Sequence, residues 1–287
     1  MTQVLTAPLT GEAAEAAARV AAALGRPGRL GVAYSGGVDS SVLLALAARA
    51  LGAENTLAIL GVSPSLAPDE RTAAHAVAAA IGVPVVEVET REGDLAAYRA
   101  NGPDRCFHCK DELFTRISDD VVARHGLGAV AYGENAEEAL RPDRPGARAA
   151  VDHRVLRPLA DAGLGKEDVR RVARALGLPN AEKPAAPCLA SRIPHFEEVT
   201  PEKLRQVGAA EAAVRALGFA DVRVRHHGDV ARLELPVADV ARAASEWREP
   251  ILDAVRAAGF RFIALDLAGI QSGAFTLPLV VRSERHG

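Results

Sequence analysis

A short glycine loop, residues 35–40 with the sequence SGGVDS, contains the residue types best suited to binding phosphate. The apolar run 30–34 before it predicts a buried strand, and the run 41–47 after it is rich in helix formers. Glycines let backbone N–H groups approach an anion, and the first turn of a helix directs its unpaired N–H groups at the same point. The loop therefore predicts a phosphate site, although Asp39 or Ser40 capping an ordinary helix would give the same pattern.

Three cysteines, Cys106, Cys109 and Cys188, form a second group with chemical potential. So small and odd a number does not suggest a disulfide framework. Cys106 and Cys109 form a CxxC pair, which could be a redox dithiol, half of a zinc site completed by Cys188 and a histidine, or part of an iron–sulfur cluster with three thiolates. Buried, unreactive thiols are the simplest alternative. Cys188 lies among prolines, which is a poor place for a core residue.

Alternating strands and helices must position these residues. Such alternation predicts an α/β fold with a parallel sheet that is covered by helices on both faces. Ligands of such sheets bind at the carboxyl ends of the strands, where both the glycine loop and residues 133–135 are expected to lie. The predicted strands are 30–34, 56–62, 83–88 and 128–132, and the predicted helices are 12–24, 41–51, 68–81, one after Cys106, and 165–176.

A smaller α/β domain is predicted after a segment, 179–194, that four prolines interrupt. Two alternating runs, 221–225 and 230–235, predict a β-hairpin. The remaining predicted elements are a helix over 201–217, a helix over 237–258 that is interrupted near Pro250, and a strand over 260–265. We therefore divide the chain into a first domain, 1–195, which carries the cysteines, and a smaller second domain, 196–287.

The bulk composition is that of a soluble protein with a core. The chain has 287 residues, of which 49% are hydrophobic and 25% charged, and its net charge is −3. The acidic balance argues against a broad nucleic-acid surface. No apolar run reaches the roughly 18–20 residues that span a bilayer, and no N-terminal signal is evident. We expect a cytoplasmic protein without nucleic-acid or membrane partners.

Residues 183–194, KPAAPCLASRIP, resemble a segment of the ATP-dependent sacrificial sulfur transferases, the LarE family. The loop 35–40 resembles the SGGxDS loop of the wider ATP pyrophosphatase (PP-loop) superfamily, and segments such as 103–110 and 265–269 extend the resemblance over most of the chain. The resemblance implies the PP-loop ATP pyrophosphatase fold and a homo-oligomer. It implies that ATP adenylates both carboxylates of pyridinium-3,5-biscarboxylic acid mononucleotide, and that sulfur then displaces AMP. The product would serve the nickel-pincer nucleotide cofactor of lactate racemase.

Two sulfur sources are consistent with this resemblance. In family members that have a single cysteine, the residue matching Cys188 donates its own sulfur and becomes dehydroalanine. Because Cys106 and Cys109 are also present, the resemblance favours a 4Fe–4S cluster on all three cysteines, whose open iron can carry a sulfide that is transferred and then replenished. A sulfide donor would then be a partner of the protein.

The resemblance also assigns roles to individual residues. It implies that Asp39 would hold Mg²⁺. Chemical reasoning makes Lys183 a candidate to stabilise charge on the α-phosphate, unless it is only a solvated loop lysine. By the same reasoning, Arg192 would lower the pKa of Cys188 and favour its thiolate. The alternation of Arg223 and Arg225 puts both on one strand face. The family places substrate-phosphate binding at these two arginines with the acid Glu211, and ATP binding at Ser35, Gly36, Gly37, Asp39 and Ser40.

Three other functions remain open from the sequence. A transfer-RNA thiolase can combine a similar loop and cysteines, but it would need an RNA-binding surface. An amide-forming relative of NAD or GMP synthetase would have no use for the three cysteines. A module that binds ATP without turnover would be distinguished by the absence of ATP-dependent pyrophosphate release.

Overall fold

The computed structural model describes residues 2–140 and 145–271. Its strands are β1 (Leu30–Ala33), β2 (Thr56–Val62), β3 (Val85–Glu89), β4 (Ala129–Tyr132), β5 (Arg223–His227), β6 (Val230–Glu234) and β7 (Phe262–Leu265). Its helices are α1 (Gln3–Thr6), α2 (Gly11–Leu24), α3 (Val38–Leu51), α4 (Pro68–Ile81), α5 (Ala96–Arg99), α6 (Arg105–Arg116), α7 (Ala123–His125), α8 (Ala136–Ala139), α9 (Pro145–Asp152), α10 (Pro158–Asp161), α11 (Lys166–Ala175), α12 (Pro201–Ala216), α13 (Val237–Ala244) and α14 (Arg248–Ala257). Short 3₁₀ turns occur at Ala53–Asn55, Glu92–Asp94 and Leu189–Arg192, and a π-helical turn at Ile117–Val122. None of the helices in the described ranges has the length and apolarity that a membrane span requires.

The chain divides into two compact units, each of which is discontinuous in sequence. The first unit comprises the residues up to Ser63 together with Pro68–Glu92 and Cys106–Ala186, and the second comprises Pro64–Ala67, Gly93–Arg105 and the residues from Pro187 onward. Within the second unit, backbone N–H of Leu189 donates to the Ser65 carbonyl, which ties its separate segments together. The roles that we assigned to domains 1–195 and 196–287 stay predictions.

The first unit is built on a four-stranded parallel sheet in the order β3-β2-β1-β4. Every residue of β1 is buried, because helices flank the sheet and the neighbouring strands β2 and β4 cover both of its edges. The core helix α3 is likewise buried from Ser40 to Ala48. The predicted α/β class with a parallel sheet is confirmed, and all four of its strands were predicted to within one or two residues at each end.

The second unit holds a three-stranded sheet in the order β5-β6-β7. β5 and β6 form an antiparallel hairpin, as the alternation predicts, and β7 runs parallel to β6. The predicted helix over 237–258 is interrupted, as expected, and forms the two helices α13 and α14; the break lies before Arg248, a few residues earlier than Pro250. Pro250 is the third residue of α14, where the missing N–H costs nothing because the first-turn donors have no intrahelical acceptor.

Helix α6 begins at Arg105, one residue before the first cysteine, so that Cys106 and Cys109 both lie inside it. Residues three apart on a helix share a face, and the two thiols are therefore neighbours one turn apart. Arg105 itself is buried in the second unit, where its guanidinium donates to the Asn101 side-chain oxygen at 2.6 Å and to the Ala190 carbonyl at 2.9 Å.

Candidate functional site

The glycine loop connects the end of β1 to the first turn of α3. Gly36 has a φ of +73°, and a Cβ at this position would lie 2.7 Å from Cβ of Ala74 and 2.9 Å from its Cα. A side chain is therefore excluded both by backbone conformation and by the close approach of α4. Gly37 is the N-cap residue of α3, so that the N–H groups at the start of this helix face the loop.

Two serine hydroxyls hold the loop in its turn. The backbone N–H of Ser35 donates to Oγ of Ser40 at 3.3 Å, and the two serine Oγ atoms are 3.2 Å apart. The N–H of Gly37 donates to Oγ of Ser35 at 3.4 Å. These bonds are at the long end of the normal range, and an anion in the loop would offer the same N–H groups a stronger, charged acceptor.

Asn180, which the sequence analysis did not single out, supports the loop from behind. Its side-chain amide donates to the Gly36 carbonyl at 3.0 Å and to Oγ of Ser41 at 2.9 Å. Ser41 Oγ donates in turn to the Gly37 carbonyl at 2.8 Å. Tyr34 is buried beside them and donates to the Ala74 carbonyl, and burial raises the pKa of its phenol to about 12. No local sequence pattern marks Asn180, because it lies 139 positions after Ser41.

The carboxyl end of β4 lies directly against the loop, as expected for neighbouring parallel strands. A Cβ on Gly133 would lie 2.7 Å from the backbone nitrogen of Ser40, so only glycine permits this contact. Asn135 is buried and caps α8 by accepting from the Glu138 N–H at 3.0 Å. Its amide also donates to Oδ1 of Asp39 at 3.1 Å, which fixes the carboxylate at the head of α3.

A cavity of about 280 Å³ opens at this edge of the sheet. Two carboxylates and one ammonium group are among its lining side chains, which suits a phosphate chain that is bound together with Mg²⁺. The lining residues are Ala33, Tyr34, Ser35, Gly37, Asp39, Ser40, Lys110, Leu113, Phe114, Tyr132, Gly133 and Glu138.

Lys110 and Tyr132 face each other in the wall of this cavity. Nζ of Lys110 lies 4.5 Å from the centre of the Tyr132 ring, a distance typical of a cation–π contact. Burial raises the pKa of the Tyr132 phenol above its ordinary value, and the neighbouring Glu134 raises it further, so the ring stays neutral. Glu134 is buried as well, and its Oε2 accepts a hydrogen bond from Nη1 of Arg157 at 3.4 Å.

The three cysteines are thiols and are divided between the two units. Cys106 is exposed and Cys109 half-buried in the first unit, whereas Cys188 is exposed in the second, immediately before the turn Leu189–Arg192. Over residues 2–140 and 145–271, no group of three or more His, Cys, Asp or Glu side chains is arranged to hold a metal ion. The donor set itself fits an iron–sulfur cluster, because thiolates are its usual ligands and the helical pair presents two of them on one face.

Lys183 does not line the cavity. Its ammonium group pairs with Oε2 of Glu70 at 2.6 Å within the first unit, and both side chains are about three-quarters buried. The role that the sequence analysis gave Lys183 stays a prediction, and this ion pair would have to open for the lysine to contact a phosphate.

The predicted arginines and Glu211 meet in the second unit. Arg192 forms a two-pronged salt bridge with Glu211, with Nε–Oε1 at 2.7 Å and Nη2–Oε2 at 3.2 Å. Arg225 makes the same kind of fork with Glu234, at 2.9 and 2.7 Å. Arg223 is buried beside them, and its Nη1 donates to the Gln271 carbonyl at 3.0 Å.

This arginine cluster (Arg192, Arg223, Arg225, Glu211 and Glu234) has more buried positive than negative groups. Burial lowers the pKa of Arg223, and the charges of Arg192 and Arg225 lower it further, which indicates a local excess of positive charge. The backbone N–H of Val224 also donates to Glu211, so this carboxylate holds the cluster in place. The cluster is chemically suited to bind a phosphate monoester.

Comparisons with known proteins agree with the geometry of the first unit. The family model for asparagine synthase matches residues 17–122, which include the glycine loop and the CxxC pair. An uncharacterized protein of Synechocystis sp. is 41% identical over 84% of this chain and 90% of its own length. The pyridinium-3,5-bisthiocarboxylic acid mononucleotide synthase of Lactiplantibacillus plantarum is 35% identical over 89% of this chain and 92% of its own. A GMP synthase of Parafrankia sp. is 31% identical over 70% of this chain but only 42% of its own length.

Proposed function

Because the chain belongs to the LarE-like family of ATP-dependent sulfur transferases, within the PP-loop ATP pyrophosphatase superfamily, we propose that it makes pyridinium-3,5-bisthiocarboxylic acid mononucleotide. The substrate is the corresponding biscarboxylic acid mononucleotide, and the product supplies nickel-pincer nucleotide synthesis. The similarity to the Lactiplantibacillus synthase, which extends over 92% of that enzyme, supports this substrate. The observation that supports ATP chemistry is the geometry of the glycine loop at the N-terminus of α3.

The first half-reaction activates each carboxylate. A carboxylate oxygen attacks the α-phosphorus of ATP, the bond to the β-phosphate oxygen breaks, and pyrophosphate leaves. Ser35, Gly36, Gly37 and Ser40 are proposed to hold the phosphates through backbone N–H groups and hydroxyls. Asp39, which Asn135 orients at 3.1 Å, is the proposed Mg²⁺ ligand. This activation is needed because an unmodified carboxylate would have to expel oxide.

The second half-reaction forms the carbon–sulfur bond. Sulfide or a thiolate attacks the acyl carbon, and AMP leaves with the original carboxylate oxygen, so that two ATP are consumed per substrate. Thiolates are strong nucleophiles near neutral pH. Cys188 is an exposed residue, as a sulfur donor that meets a substrate should be. If Cys188 supplies the sulfur, a base removes its Cα proton after the attack and the Cβ–Sγ bond breaks. The electrons of that bond leave with the thiocarboxylate, and the residue becomes dehydroalanine.

We further propose Cys106, Cys109 and Cys188 as ligands of a 4Fe–4S cluster. A cluster that is held by three thiolates leaves one iron open to an external sulfide, which would spare the protein's own cysteine sulfur. The feature of the chain that supports this choice over self-sacrifice is the i, i+3 pair on α6, whose first cysteine is exposed.

The arginine cluster is the proposed site for the phosphate of the substrate. Arg223 and Arg225 would supply guanidinium groups to it, while Glu211 positions the neighbouring Arg192 rather than contacting the phosphate. In this proposal Arg192 keeps the turn that follows Cys188 in place, since its Nη1 also donates to the Pro187 carbonyl at 3.1 Å. We also propose that residues 196–287 contribute contacts in a homo-oligomer.

The test of this function is a reaction of anaerobically purified protein with ATP, Mg²⁺, sulfide and the pyridinium biscarboxylate mononucleotide. We expect one pyrophosphate for each thiocarboxylate group that forms, and therefore two for each bisthiocarboxylate product. Pyrophosphate release without any thiocarboxylate would refute sulfur transfer. If neither product appears, the result would favour a module that binds ATP without turnover.

Iron and sulfide analysis of cysteine variants separates the two sulfur sources. We expect Cys106→Ala to lose the cluster iron of the wild-type protein, whereas Cys106→Ala would have no effect on iron if Cys188 alone were sacrificed. A colourless wild-type protein whose mass falls by one H₂S after turnover would contradict the cluster. Cys188→Ala should abolish sulfur transfer under either route and is the matched control.

A further inference from the structure

Asp266, the residue that follows β7, lies at the far end of a chain of ion pairs that leads to Arg225. We propose that Asp266 is a positioning residue that keeps the Arg225 guanidinium in place for a phosphate monoester. It acts through the two side chains that lie between them, Arg232 and Glu234. This inference rests on the proposed function, because that function brings a phosphate to the arginine cluster. It deepens the function by naming a residue on which the cluster depends.

The carboxylate of Asp266 is itself held by the backbone around it. The backbone N–H of Asp266 donates to the Leu233 carbonyl at 2.8 Å, which continues the pairing of β7 with β6. Its Oδ1 accepts from the backbone N–H of Ala268 at 2.9 Å, and this bond closes the turn after β7. The other oxygen, Oδ2, lies 3.3 Å from Nη1 of Arg232. Asp266 is therefore a fixed anchor for a guanidinium group on the neighbouring strand.

The carboxylate of Glu234 is shared between Arg232 and Arg225. Nη2 of Arg232 lies 3.2 Å from Oε1 of Glu234. Arg225 contacts both oxygens of the same carboxylate, with Nε–Oε1 at 2.9 Å and Nη2–Oε2 at 2.7 Å. Glu234 and Arg225 are both buried, and solvent screens buried charges much less than exposed ones. The orientation of Arg225 is therefore sensitive to how Arg232 engages Glu234.

Asp266 determines that engagement. A guanidinium fork matches both oxygens of one carboxylate, so Arg232 and Arg225 compete for Glu234. Because Asp266 holds Nη1 of Arg232, the contact of Arg232 with Glu234 is made by Nη2 to Oε1 alone, and Oε2 is left to Arg225. Without the charge of Asp266, both prongs of Arg232 would be drawn to Glu234, and the Arg225 fork would be displaced.

The orientation of Arg225 matters because it converges with Arg223 on one oxygen atom. Nη2 of Arg225 donates to the Gln271 carbonyl at 3.2 Å, and Nη1 of Arg223 donates to the same carbonyl at 3.0 Å. Nη1 of Arg225 also donates to the Ser191 carbonyl at 3.0 Å. Two guanidinium groups that share one acceptor oxygen are suited to a phosphate monoester, whose oxygens are stronger, charged acceptors. A rotation of Arg225 away from Glu234 would end this convergence.

Calorimetric titration of the full-length protein tests the inference without requiring sulfur transfer. The two ligands are the pyridinium biscarboxylate mononucleotide and the nucleoside that lacks its phosphate. Asp266→Asn keeps the oxygen that closes the turn but removes the charge that holds Arg232. We expect it to raise the Kd for the mononucleotide by about threefold to thirtyfold, as for residues of one salt-bridge network, and to leave the Kd for the nucleoside unchanged.

Asp253→Asn, which replaces an exposed aspartate of α14, is the matched control and should bind both ligands as the wild type does. A folded Asp266→Asn variant that binds the mononucleotide as tightly as the wild type does would overturn the proposal. Equal losses for the two ligands would also overturn it, because they would show a role in folding and not in the placement of a phosphate ligand.

Arg232→Lys gives a second readout, which also serves if Asp266→Asn does not fold. A lysine has no fork and cannot hold Asp266 and Glu234 by separate prongs, so we expect the same selective loss of mononucleotide affinity. Asp266→Asn should add no further loss to Arg232→Lys, because it acts through that residue, and additive losses would contradict the inference. Wild-type protein that binds the mononucleotide no better than the nucleoside would refute both the phosphate site and this inference. Selective binding that depends on Asp266, without any thiocarboxylate formed, would refute the proposed function alone.

Discussion

Gly36 shows how a single missing methyl group determines the shape of the phosphate loop. We expect Gly36→Ala to destabilise the protein by at least about 1–2 kcal/mol, the usual cost of a left-handed backbone for a residue with a side chain. The clash with Ala74, at 2.7 Å, would add to this cost and displace the loop. Thermal unfolding and the Kd for ATP both report the effect, and both should worsen together.

Gly93→Ala is the control for this prediction. Gly93 has no positive φ, and a Cβ there would meet no atom within 4 Å. The stability and ATP affinity of the Gly93→Ala variant should therefore equal those of the wild type. If Gly36→Ala has the same thermal unfolding and the same Kd for ATP as Gly93→Ala, the loop does not need the conformation that we describe.

The chemistry of the loop could be predicted from the sequence because its residues are contiguous. Six neighbouring residues between an apolar run and a helical run specify a turn, a helix N-terminus and a set of hydroxyls. Asn180 and Lys110 could not be predicted in this way. Asn180 contacts the loop and Lys110 lines the cavity that the loop borders, and both placements depend on how separate elements pack. The burial of His226 could not be predicted in this way either, because it depends on the elements that cover both faces of β5.

Helix α12 is linked to the turn Leu189–Arg192 by the buried salt bridge between Arg192 and Glu211. We expect Glu211→Ala to lower the free energy of unfolding by about 3–5 kcal/mol, because it leaves the Arg192 guanidinium buried without its carboxylate. Denaturant unfolding measures this change. Glu202→Ala, on the exposed surface of the same helix, should cost no more than about 1 kcal/mol.

A double variant shows whether the loss of stability comes from the unpaired Arg192 guanidinium or from the side-chain volume that Glu211→Ala removes. Arg192→Met combined with Glu211→Leu removes both charges, and we expect it to recover most of the stability that Glu211→Ala loses. If the double variant is as unstable as the single one, the salt bridge is not what limits stability here. If stability recovers but sulfur transfer does not, the result would support the proposed role of Arg192 in keeping the turn that follows Cys188 in place.

Secondary structure was easiest to predict where one period dominates a segment. β2 and α4 have the predicted bounds, because an uninterrupted apolar run and a helix opened by Pro68 are unambiguous signals. The break between α13 and α14 was misplaced, since Pro250 is compatible with the first turn of a helix and therefore marks no boundary. The short helix α9 escaped prediction.

The stability of the molecule should depend on pH through two histidines of β5. Burial lowers the pKa of both His226 and His227 from the ordinary value of 6.5. The folded protein therefore binds fewer protons than the unfolded chain, so their contribution to stability is complete above about pH 6.5 and is lost as the pH falls below it. We expect the melting temperature to decrease from pH 7.5 to pH 5.5.

Glutamine variants show whether these histidines are responsible. Because glutamine does not titrate, His226→Gln combined with His227→Gln should flatten this part of the stability profile, even if it lowers the melting temperature at every pH. Each histidine can contribute at most about 1.4 kcal/mol per pH unit. An unchanged slope in the double variant would assign the pH dependence to other groups.

The position of Cys106, Cys109 and Lys110 on one helix constrains how this segment can vary in length. Each residue advances an α-helix by about 100°. Inserting a single residue after Cys109 would therefore rotate Lys110 away from Tyr132 while leaving the two thiols in place. Only changes of side chain, and not of chain length, keep the two thiols and the Lys110–Tyr132 contact in register along α6.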